Sequence, residues 1–231
     1  MRNIAIIPAR GGSKRLPGKN IQKINGKPLV EYAIEAAIES KIFSEIVLTS
    51  DDRATIELGY CYPEVNLHLR PPSLSGDTCK LRTVVRYLLE LYEAKGIHYD
   101  CVALIVPTSP LRTANDIKIA AKFMETYQDR LNGVMSITGL KYPPKHSLKV
   151  DSDGFIQPMF PEDIDIQSQY LEPAYIHDGS IIFVKVKSFL EFGDFYMPAL
   201  MPCYINENRA VDINTAIDLR YAEFLLNENK N

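Results

Sequence analysis

The chain has 231 residues, of which 46% are hydrophobic and 24% are charged, and its net charge is −3. This length suits one large domain, or one domain with an appendage, and the composition excludes a disordered, fibrous or membrane protein. Because nucleic-acid-binding domains normally carry a basic excess, the slight acidity argues against that class as well.

Short β-branched segments alternate with amphipathic segments in the first 140 residues. Strands are predicted at 3–8, 45–50, 65–69, 101–106 and 134–138. Helices are predicted at 29–40, 81–92 and 113–127, where apolar residues recur at helical spacing. Asp51 and Asp52, which follow the second strand, are interpreted as a helix cap. The alternation predicts an α/β fold with a mostly parallel sheet and helices on both of its faces.

Residues 139–178 show no steady period and are rich in proline and aromatic residues. This stretch is too long for an ordinary loop and is predicted to form an arm. Short strands are expected inside it near 148–150 and 155–157. Regular elements return after it, with strands at 180–184 and 202–205 and a closing helix at about 215–226. The prediction is a single domain, residues 1–231, with 139–178 as an inserted arm.

The four cysteines are widely spaced and include no CxxC pair. Without clustered histidines they do not indicate zinc, so reduced, mostly buried thiols are expected. The short apolar run near the N-terminus is interrupted by Pro8 and Arg10, which fits neither a signal peptide nor a transmembrane span. We therefore expect a cytoplasmic protein without a membrane partner.

The charge is unevenly distributed along the chain. The first thirty residues contain seven basic residues and no acidic one, so this stretch carries +7. The rest contains 19 basic and 29 acidic residues, a balance of −10. The N-terminal stretch is therefore predicted to bind an anion.

Residues 9–20, ARGGSKRLPGKN, have the composition of a phosphate-binding loop. Glycines and a serine let backbone N–H groups approach an anion, and the basic side chains supply charge. In an open α/β sheet ligands bind beyond the carboxyl ends of the strands, so this position favours a binding site over a solvated surface loop. The spacing is neither GxxxxGK[ST] nor GxGxxG, which disfavours P-loop NTPases and dinucleotide oxidoreductases.

The segment IPARGGSKRLPGKN, followed by INGKPLVEYAIEAA, resembles the CMP-N-acetylneuraminic acid synthetase family of cytidylyltransferases. Three further segments keep the expected order and spacing: RPPSL with Asp77 and Thr78, PTSPLR at 107–112, and VDINT at 211–215. The resemblance spans nearly the whole chain. It implies a Rossmann-like nucleotidyltransferase fold that uses CTP to activate a nonulosonic acid, with release of pyrophosphate. It also implies a homodimer in which the arm completes the partner's active site.

The resemblance implies a CTP site around this loop, which we call the phosphate loop. Arg10 would hold the β- or γ-phosphate, because guanidinium makes bidentate, permanently charged contacts. The implied nucleotide-binding residues are Arg10, Gly11, Ser13, Lys14, Lys19, Asn20, Arg70, Asp77, Thr78 and Cys79. Arg10 and Lys19 would act in catalysis together with Asp212. For Arg70, a surface arginine before a Pro-Pro turn is the alternative.

By the same resemblance Asp212 would bind Mg²⁺, since phosphoryl-type transfer depends on positioning and charge neutralisation. Asn214 stands where the family has a second aspartate. Its amide oxygen could still coordinate the metal or hold one of its waters, but without charge. The alternative for Asp212 is an N-cap of the closing helix, a role that Asn214 or Thr215 could also fill.

The acceptor side departs further from the family. Val106 replaces a glutamine of the sialic-acid enzymes, and no arginine occurs between Arg130 and Arg209. Lys145 is the best remaining cation for the sugar carboxylate, and a structural role for His177 is about as plausible as a binding role. The implied substrate-binding residues are Thr108, Ser109, Arg112, Lys145, Gln169 and His177. Legionaminic or pseudaminic acid, which need fewer polar partners than sialic acid, would suit Val106.

Two other functions remain open from the sequence. A CMP-3-deoxy-manno-octulosonate synthetase would have a similar opening loop, but the Gly11-Gly12 pair, Asn20 and PTSPLR argue against it. A catalytically silent nucleotide-binding module is the second alternative, because Asn214 removes a carboxylate from the implied metal site.

Overall fold

Strands and helices alternate along the chain, whose computed structural model describes residues 1–76 and 78–228. Within these residues the strands are Asn3–Pro8 (β1), Lys23–Ile24 (β2), Lys27–Pro28 (β3), Glu45–Ser50 (β4), Val65–Leu69 (β5), Cys101–Leu104 (β6), Gly133–Gly139 (β7), Leu148–Val150 (β8), Ile156–Pro158 (β9), Tyr175–Lys185 (β10) and Leu200–Tyr204 (β11). The α-helices are Leu29–Ser40 (α1), Arg53–Gly59 (α2), Leu81–Glu93 (α3), Ala114–Thr126 (α4), Val186–Phe192 (α5) and Ala216–Glu228 (α6).

Seven of these strands form the central sheet, in the order β11-β7-β10-β6-β1-β4-β5. β1 runs parallel to β4 and β6, and β7 runs parallel to β11, whereas β10 is antiparallel to both of its neighbours. The register places Ile6 of β1 between Val47 of β4 and Leu104 of β6. The predicted mostly parallel α/β sheet is confirmed.

Helices cover both faces of the sheet because successive side chains of a strand point to opposite sides. Ile7 of β1 lies in one apolar cluster with Ile34 of α1 and Ile117 of α4. Its neighbour Ile6 lies in a second cluster with Phe189 of α5 and the apolar side of α3. All five side chains are fully buried, and burial of each contributes about 1.5–3 kcal/mol. The predicted two-faced arrangement is therefore confirmed.

The structure adds a short helix and a hairpin that the sequence analysis did not predict, and it gives the extent of a second short helix for which only the cap was predicted. α2 and α5 have seven residues each, too few for a clear period. The carboxylate of Asp52 accepts hydrogen bonds from the backbone N–H groups of Ala54 and Thr55 at 3.3 and 3.0 Å, which confirms the predicted cap. Asn25 and Gly26, both at positive φ, join β2 to β3 in the manner of a tight hairpin.

β10 begins earlier than predicted and contains a bulge. Its pairing with β7 shifts register between His177 and Ile182. Gly179, inside the bulge, has a φ of +83°, which side-chain-bearing residues rarely adopt. A Cβ atom at this position would lie 2.9 Å from Oγ of Ser109. The glycine therefore lets β10 approach the segment that follows β6.

The arm exposes apolar side chains. β8 and β9 form an antiparallel pair within it, and Gly139 and 175–178 at its two ends belong to strands of the central sheet. The exposed apolar residues on or near the pair are Leu148, Val150, Phe155, Ile156 and Met159. Surface of this kind is typical of an interaction site. The dimer remains a prediction.

The four cysteines are free thiols, of which Cys101 and Cys203 are buried, Cys79 is half-buried and Cys61 is exposed. Burial raises the pKa of Cys101 to about 12 and that of Cys203 to about 11. The expected burial thus holds for two of the four. Within the described ranges, the helices are too short or too polar to cross a membrane.

Candidate active site

A cleft of about 480 Å³ opens at the carboxyl ends of β1 and β6. These strands are adjacent and parallel, and ligands of open α/β sheets bind at this edge, where the strand order reverses. The cleft is lined by Pro8, Arg10, Ser13, Lys14, Arg15, Lys19, Asn20, Arg70, Cys79, Leu81, Val84, Val106, Pro107 and Thr108. The structure therefore brings together predicted site residues from three distant segments of the chain.

Contacts with neighbouring segments hold the phosphate loop in shape. The backbone N–H of Gly11 donates to Oδ1 of Asp51 at 2.9 Å, and a Cβ atom on Gly11 would lie 2.7 Å from Cβ of Asp52. A larger residue would not fit there without a shift. Buried Asn20 donates its Nδ2 hydrogen to the backbone oxygen of Arg10 at 2.8 Å. Asp51 is thus an anchor of the loop, a role that its interpretation as a helix cap missed.

The side chain of Lys19 joins the loop to residues 211–215, which we call the C-terminal segment. Its Nζ donates to the backbone oxygen of Ile213 at 2.9 Å and to Oδ1 of Asn214 at 3.3 Å. Burial lowers the pKa of Lys19, and the carboxylate of Asp212 opposes this effect. The cations that line the cleft from the loop are Arg10, Lys14, Arg15 and Lys19. Such a group attracts a polyanion.

Arg70 is buried, with 8% of its surface exposed, so the alternative of a surface arginine is wrong. Its Nε donates to Oγ1 of Thr49 at 3.1 Å, and its Nη2 donates to the backbone oxygen of Thr49 at 3.0 Å. Burial lowers the pKa of Arg70, but arginine remains charged in proteins. Because Thr49 lies on β4, the central sheet itself fixes this guanidinium at the cleft wall.

The wall beside Arg70 is apolar. It is formed by Leu81 and Val84 of α3 together with the half-buried Cys79. Apolar walls with a few polar groups are typical of sites for ring-containing ligands. Of the other residues predicted here, Thr78 is exposed, and Asp77 lies outside the described residues.

The C-terminal segment places Asp212 and Asn214 at the rim of the cleft. Nδ2 of Asn214 donates to Oδ2 of Asp212 at 2.8 Å, and Oδ1 of Asn214 accepts from Nη2 of Arg15 at 2.7 Å. Thr215 and Asp218 exchange hydrogen bonds as the capping box of α6. The N-cap alternative for Asp212 is therefore wrong, and its carboxylate is exposed.

Asp212 fits a metal site better than Asn214 does. Mg²⁺ is usually bound by one or two carboxylates together with substrate phosphates and water. The Asp212 carboxylate offers such an oxygen beside the cationic loop, whereas the Asn214 oxygen already accepts from two cations. In the described part of the chain, no three His, Cys, Asp or Glu side chains group as a metal site. An Mg²⁺ ion at Asp212 would take its other ligands from phosphates and water.

The segment after β6 presents Val106 and Thr108 to the cleft. The backbone oxygen of Thr108 accepts from the N–H of Ile213 at 2.9 Å, which ties this segment to the C-terminal segment. Ser109 is fully buried, and its Oγ donates to the backbone oxygen of Asp178 at 3.4 Å. Ser109 therefore packs against the bulge of β10, whereas Thr108 before it lines the cleft.

Arg112 is buried behind the cleft instead of lining it. Its Nη1 donates to the backbone oxygens of Val106 and Ser180 at 3.0 and 3.1 Å. Burial lowers the pKa of Arg112 to about 10. The structure thus gives Arg112 a bracing position between the segment after β6 and β10, away from the predicted substrate contacts.

The remaining predicted acceptor residues lie away from the cleft within the described chain. Lys145 is exposed on the arm and forms an ion pair with Asp163. Gln169 is exposed and donates its Nε2 hydrogen to Oε1 of Gln167 at 2.6 Å. Nδ1 of His177 lies 2.8 Å from the backbone oxygen of Ser136, so Nδ1 carries a proton. Substrate contacts for these side chains remain predictions.

Comparisons with known proteins agree with this geometry. The cytidylyltransferase family model matches residues 4–140. The pseudaminic acid cytidylyltransferase of Campylobacter jejuni is 33% identical over 99% of this chain and 98% of its own length. The CMP-N,N'-diacetyllegionaminic acid synthase of Legionella pneumophila is also 33% identical, over 100% of this chain and 98% of its own.

Solved structures show the same fold. A CMP:2-keto-3-deoxy-manno-octonic acid synthetase complexed with CTP aligns with a TM-score of 0.69 and 16% identity, covering 99% of this chain and 100% of that one. A 4-diphosphocytidyl-2C-methyl-D-erythritol synthase aligns with a TM-score of 0.64 and 15% identity, covering 97% of this chain and 98% of that one. The match to the family model and the two relatives at 33% identity show that the chain belongs to the cytidylyltransferase family.

Proposed function

We propose that this protein transfers CMP from CTP to a nonulosonic acid and releases pyrophosphate. The observation that carries the proposal is the cleft at the end of β1, where four cations face the space beside an apolar wall. The printed names of two relatives that align over nearly their full length, pseudaminic acid cytidylyltransferase and CMP-N,N'-diacetyllegionaminic acid synthase, indicate the acceptor class.

In this proposal the phosphate loop binds the triphosphate. Arg10, Lys14 and Lys19 offer N–H donors from the side of the cleft that β1 opens onto. The anomeric hydroxyl of the sugar forms a bond to the α-phosphorus, and the bond from that phosphorus to the bridging oxygen of the β-phosphate breaks. The hydroxyl proton passes to solvent, and the cations stabilise the charge that develops on pyrophosphate.

The nucleoside would lie against the apolar wall, with the guanidinium of Arg70 beside it. Because Thr49 holds that guanidinium in place, little side-chain entropy is lost when a ligand binds. When bound, an Mg²⁺ ion held by Asp212 would neutralise charge on the phosphates. In this proposal the loop stabilises the leaving pyrophosphate, and the opposite wall orients the nucleoside.

The sugar would lie near Val106 and Thr108. An apolar side chain at Val106 leaves a sugar hydroxyl without a partner, and an unpaired buried hydroxyl is costly. This environment favours the less hydroxylated pseudaminic or legionaminic acids over N-acetylneuraminic acid. A sugar carboxylate would bind Lys145, and Gln169 and His177 would contact the sugar, if the arm of a second copy reaches the cleft.

We propose further that the enzyme is a cytoplasmic homodimer. Free cysteines are typical of a reducing compartment. The apolar residues exposed on the arm would be covered by a second copy, as expected for an obligate interface.

The activity is tested by measuring pyrophosphate release from CTP and Mg²⁺ with a panel of acidic sugars. The panel contains N-acetylneuraminic, N,N'-diacetyllegionaminic and pseudaminic acids together with 3-deoxy-manno-octulosonate. We expect turnover with legionaminic or pseudaminic acid. Turnover with the octulosonate alone would replace the proposed acceptor class, and binding of CTP without turnover of any sugar would indicate a silent nucleotide-binding module.

A further inference from the structure

Asn214 connects the loop cations to Asp212 through a single side chain. Its Oδ1 accepts hydrogen bonds from Nη2 of Arg15 at 2.7 Å and from Nζ of Lys19 at 3.3 Å. Its Nδ2 donates to Oδ2 of Asp212 at 2.8 Å. The amide oxygen therefore faces two cations, and the amide nitrogen faces a carboxylate.

These partners settle which way the amide points. If oxygen and nitrogen were exchanged, the NH₂ group would face two cations that can only donate, and the oxygen would face the carboxylate of Asp212. Only the observed orientation pairs each donor with an acceptor. In that orientation the Asn214 oxygen uses both of its lone pairs on Arg15 and Lys19, so it has none left for a metal.

The backbone around Asn214 is held as firmly as its side chain. Ile213 is fully buried in the apolar cluster that packs beneath α6, and its carbonyl accepts from Lys19. The N–H of Asn214 donates to Oδ2 of Asp218 at 2.9 Å, next to the capping box. A side chain on so well anchored a segment can fix the position of the long, flexible Lys19 and Arg15.

An aspartate at position 214 would behave differently. It would place a carboxylate oxygen where Nδ2 now lies, 2.8 Å from the carboxylate of Asp212. Two carboxylates at this distance repel unless a cation or proton lies between them. The amide replaces that repulsion with a hydrogen bond and needs no metal to be stable.

We infer that Asn214 is a positioning residue that holds Lys19 and Arg15 toward the triphosphate, and that Asp212 alone serves as the metal ligand of the C-terminal segment. The inference rests on the proposed function only in taking a triphosphate as the ligand of the loop. Its consequence is that the loop binds triphosphate without a metal ion.

The first experiment measures binding of inorganic tripolyphosphate by calorimetry in EDTA. We expect the wild-type protein to bind it and Asn214→Ala to bind about tenfold more weakly, since two charge-assisted contacts are released. Asn208→Ala is the matched control, because Asn208 is exposed after β11 and does not line the cleft. Wild-type-like affinity in Asn214→Ala would overturn the inference, and so would a wild-type protein that does not bind tripolyphosphate in EDTA.

The second experiment measures Mn²⁺ binding to the nucleotide-free protein by electron paramagnetic resonance. If Asn214 is not a ligand, Asn214→Ala keeps the wild-type affinity within about twofold, and Asn214→Asp gains at least about tenfold through the second carboxylate. Loss of Mn²⁺ affinity in Asn214→Ala beyond about fivefold would show that the amide coordinates the metal. A role in fold stability alone would change neither the metal nor the tripolyphosphate readout, and unfolding curves of each variant check this.

These readouts separate the inference from the proposed function. Tripolyphosphate and Mn²⁺ binding need neither cytidine nor a sugar. If the protein binds both as expected but no sugar is activated, the enzyme proposal fails while the role of Asn214 stands. If sugars are activated while Asn214→Ala binds tripolyphosphate normally, the proposed role of Asn214 fails while the enzyme proposal stands.

Discussion

Lys19 and Arg70 are restrained by different neighbours at the two sides of the cleft. Lys19 donates to the C-terminal segment, and Arg70 donates to Thr49. Because both side chains are held before a ligand arrives, binding costs them little conformational entropy. Substituting these cations, or the groups that hold them, is therefore expected to change turnover and nucleotide affinity to different extents.

Arg10→Ala is expected to lower kcat/KM for CTP by about 100-fold or more, because it removes donors aimed at the charge that develops on pyrophosphate. The variant should fold normally, since Arg10 is only half-buried and does not belong to the apolar core. Pyrophosphate release measures the effect. Arg130→Ala, which removes an exposed arginine in the turn after α4, is the control. Near-normal activity in Arg10→Ala would mean that the triphosphate binds elsewhere.

Thr49→Val removes the hydroxyl that accepts from Nε of Arg70 but keeps the backbone acceptor for Nη2. We expect KM for CTP to rise about five- to tenfold, which corresponds to loss of about 1 kcal/mol. Thr138→Val is the control, because the buried Oγ1 of Thr138 has no hydrogen-bond partner among the described residues. The idea that Thr49 positions Arg70 would be rejected if both variants gave the same KM.

The pH dependence of the reaction reports on Lys19. Burial lowers the pKa of Lys19 from its ordinary value of 10.5. The ammonium group is therefore charged at pH values below this lowered pKa, and kcat/KM for CTP should fall as the pH rises through it. Lys19→Arg keeps the charge and should move this alkaline limb to higher pH. Steady-state profiles of the two proteins, with circular dichroism at each pH, provide the comparison. An unmoved limb would assign it to another group.

Among the elements, the bulge in β10 connects the acceptor side to the central sheet. Gly179 lies next to Ser109, and a Cβ atom there would also come within 3.9 Å of Val106 and Asp212. The bulge therefore determines how closely β10 approaches residues on both sides of the rim. Arg112 reinforces the same junction from behind through the carbonyls of Val106 and Ser180.

Gly179→Ala tests the role of the bulge in β10, and Gly154→Ala is its matched control. Both glycines have positive φ, +83° and +87°, but a Cβ atom on Gly154 would meet nothing within 4 Å. Each substitution should cost about 1–2 kcal/mol of backbone strain, and Gly179→Ala should cost more because Ser109 must shift. Urea denaturation measures the difference, and only Gly179→Ala should reduce turnover. Equal losses of stability would show that the contact with Ser109 is unimportant.

The elements that could be predicted from the sequence are those with a long apolar period. β1, β4 and α1 lie where their patterns placed them, since each buries a continuous face. β5 also has its predicted bounds, although Val65 is its only buried residue. The extent of α2 and the whole of α5 were missed because seven residues show no clear period. The bulge of β10 was missed because it depends on the contact of Gly179 with a segment about seventy residues earlier.

The sequence predicts those residues of the candidate site that come directly after a strand. Arg10, Lys19 and Thr108 meet in the cleft because parallel strands open on one edge of the sheet. The burial of Arg112 and the orientation of Asn214 follow from tertiary hydrogen bonds that no local pattern carries. The loop anchor Asp51 was hidden for the same reason, since its partner Gly11 is 40 positions away.

For the whole molecule, the exposed apolar part of the arm predicts a dimer. Phe155→Asp should convert a dimer into a monomer of 26.1 kDa, because a charge would be buried at the interface. Tyr196→Asp is matched to it, since both aromatic side chains are 69% exposed and Tyr196 lies outside the arm. Light scattering after gel filtration measures the mass. A wild-type monomer, or equal effects of the two substitutions, would contradict the arm interface.

The contact between Lys19 and Ile213 joins residues that are 194 positions apart. Deletion of residues from 211 onward would therefore leave the Asp51 and Asn20 contacts of the loop in place but remove both acceptors of Lys19. The ammonium group would then sample many rotamers, and a ligand would have to order it on binding. The shape of the loop and the direction of its lysine thus depend on two separate parts of the chain.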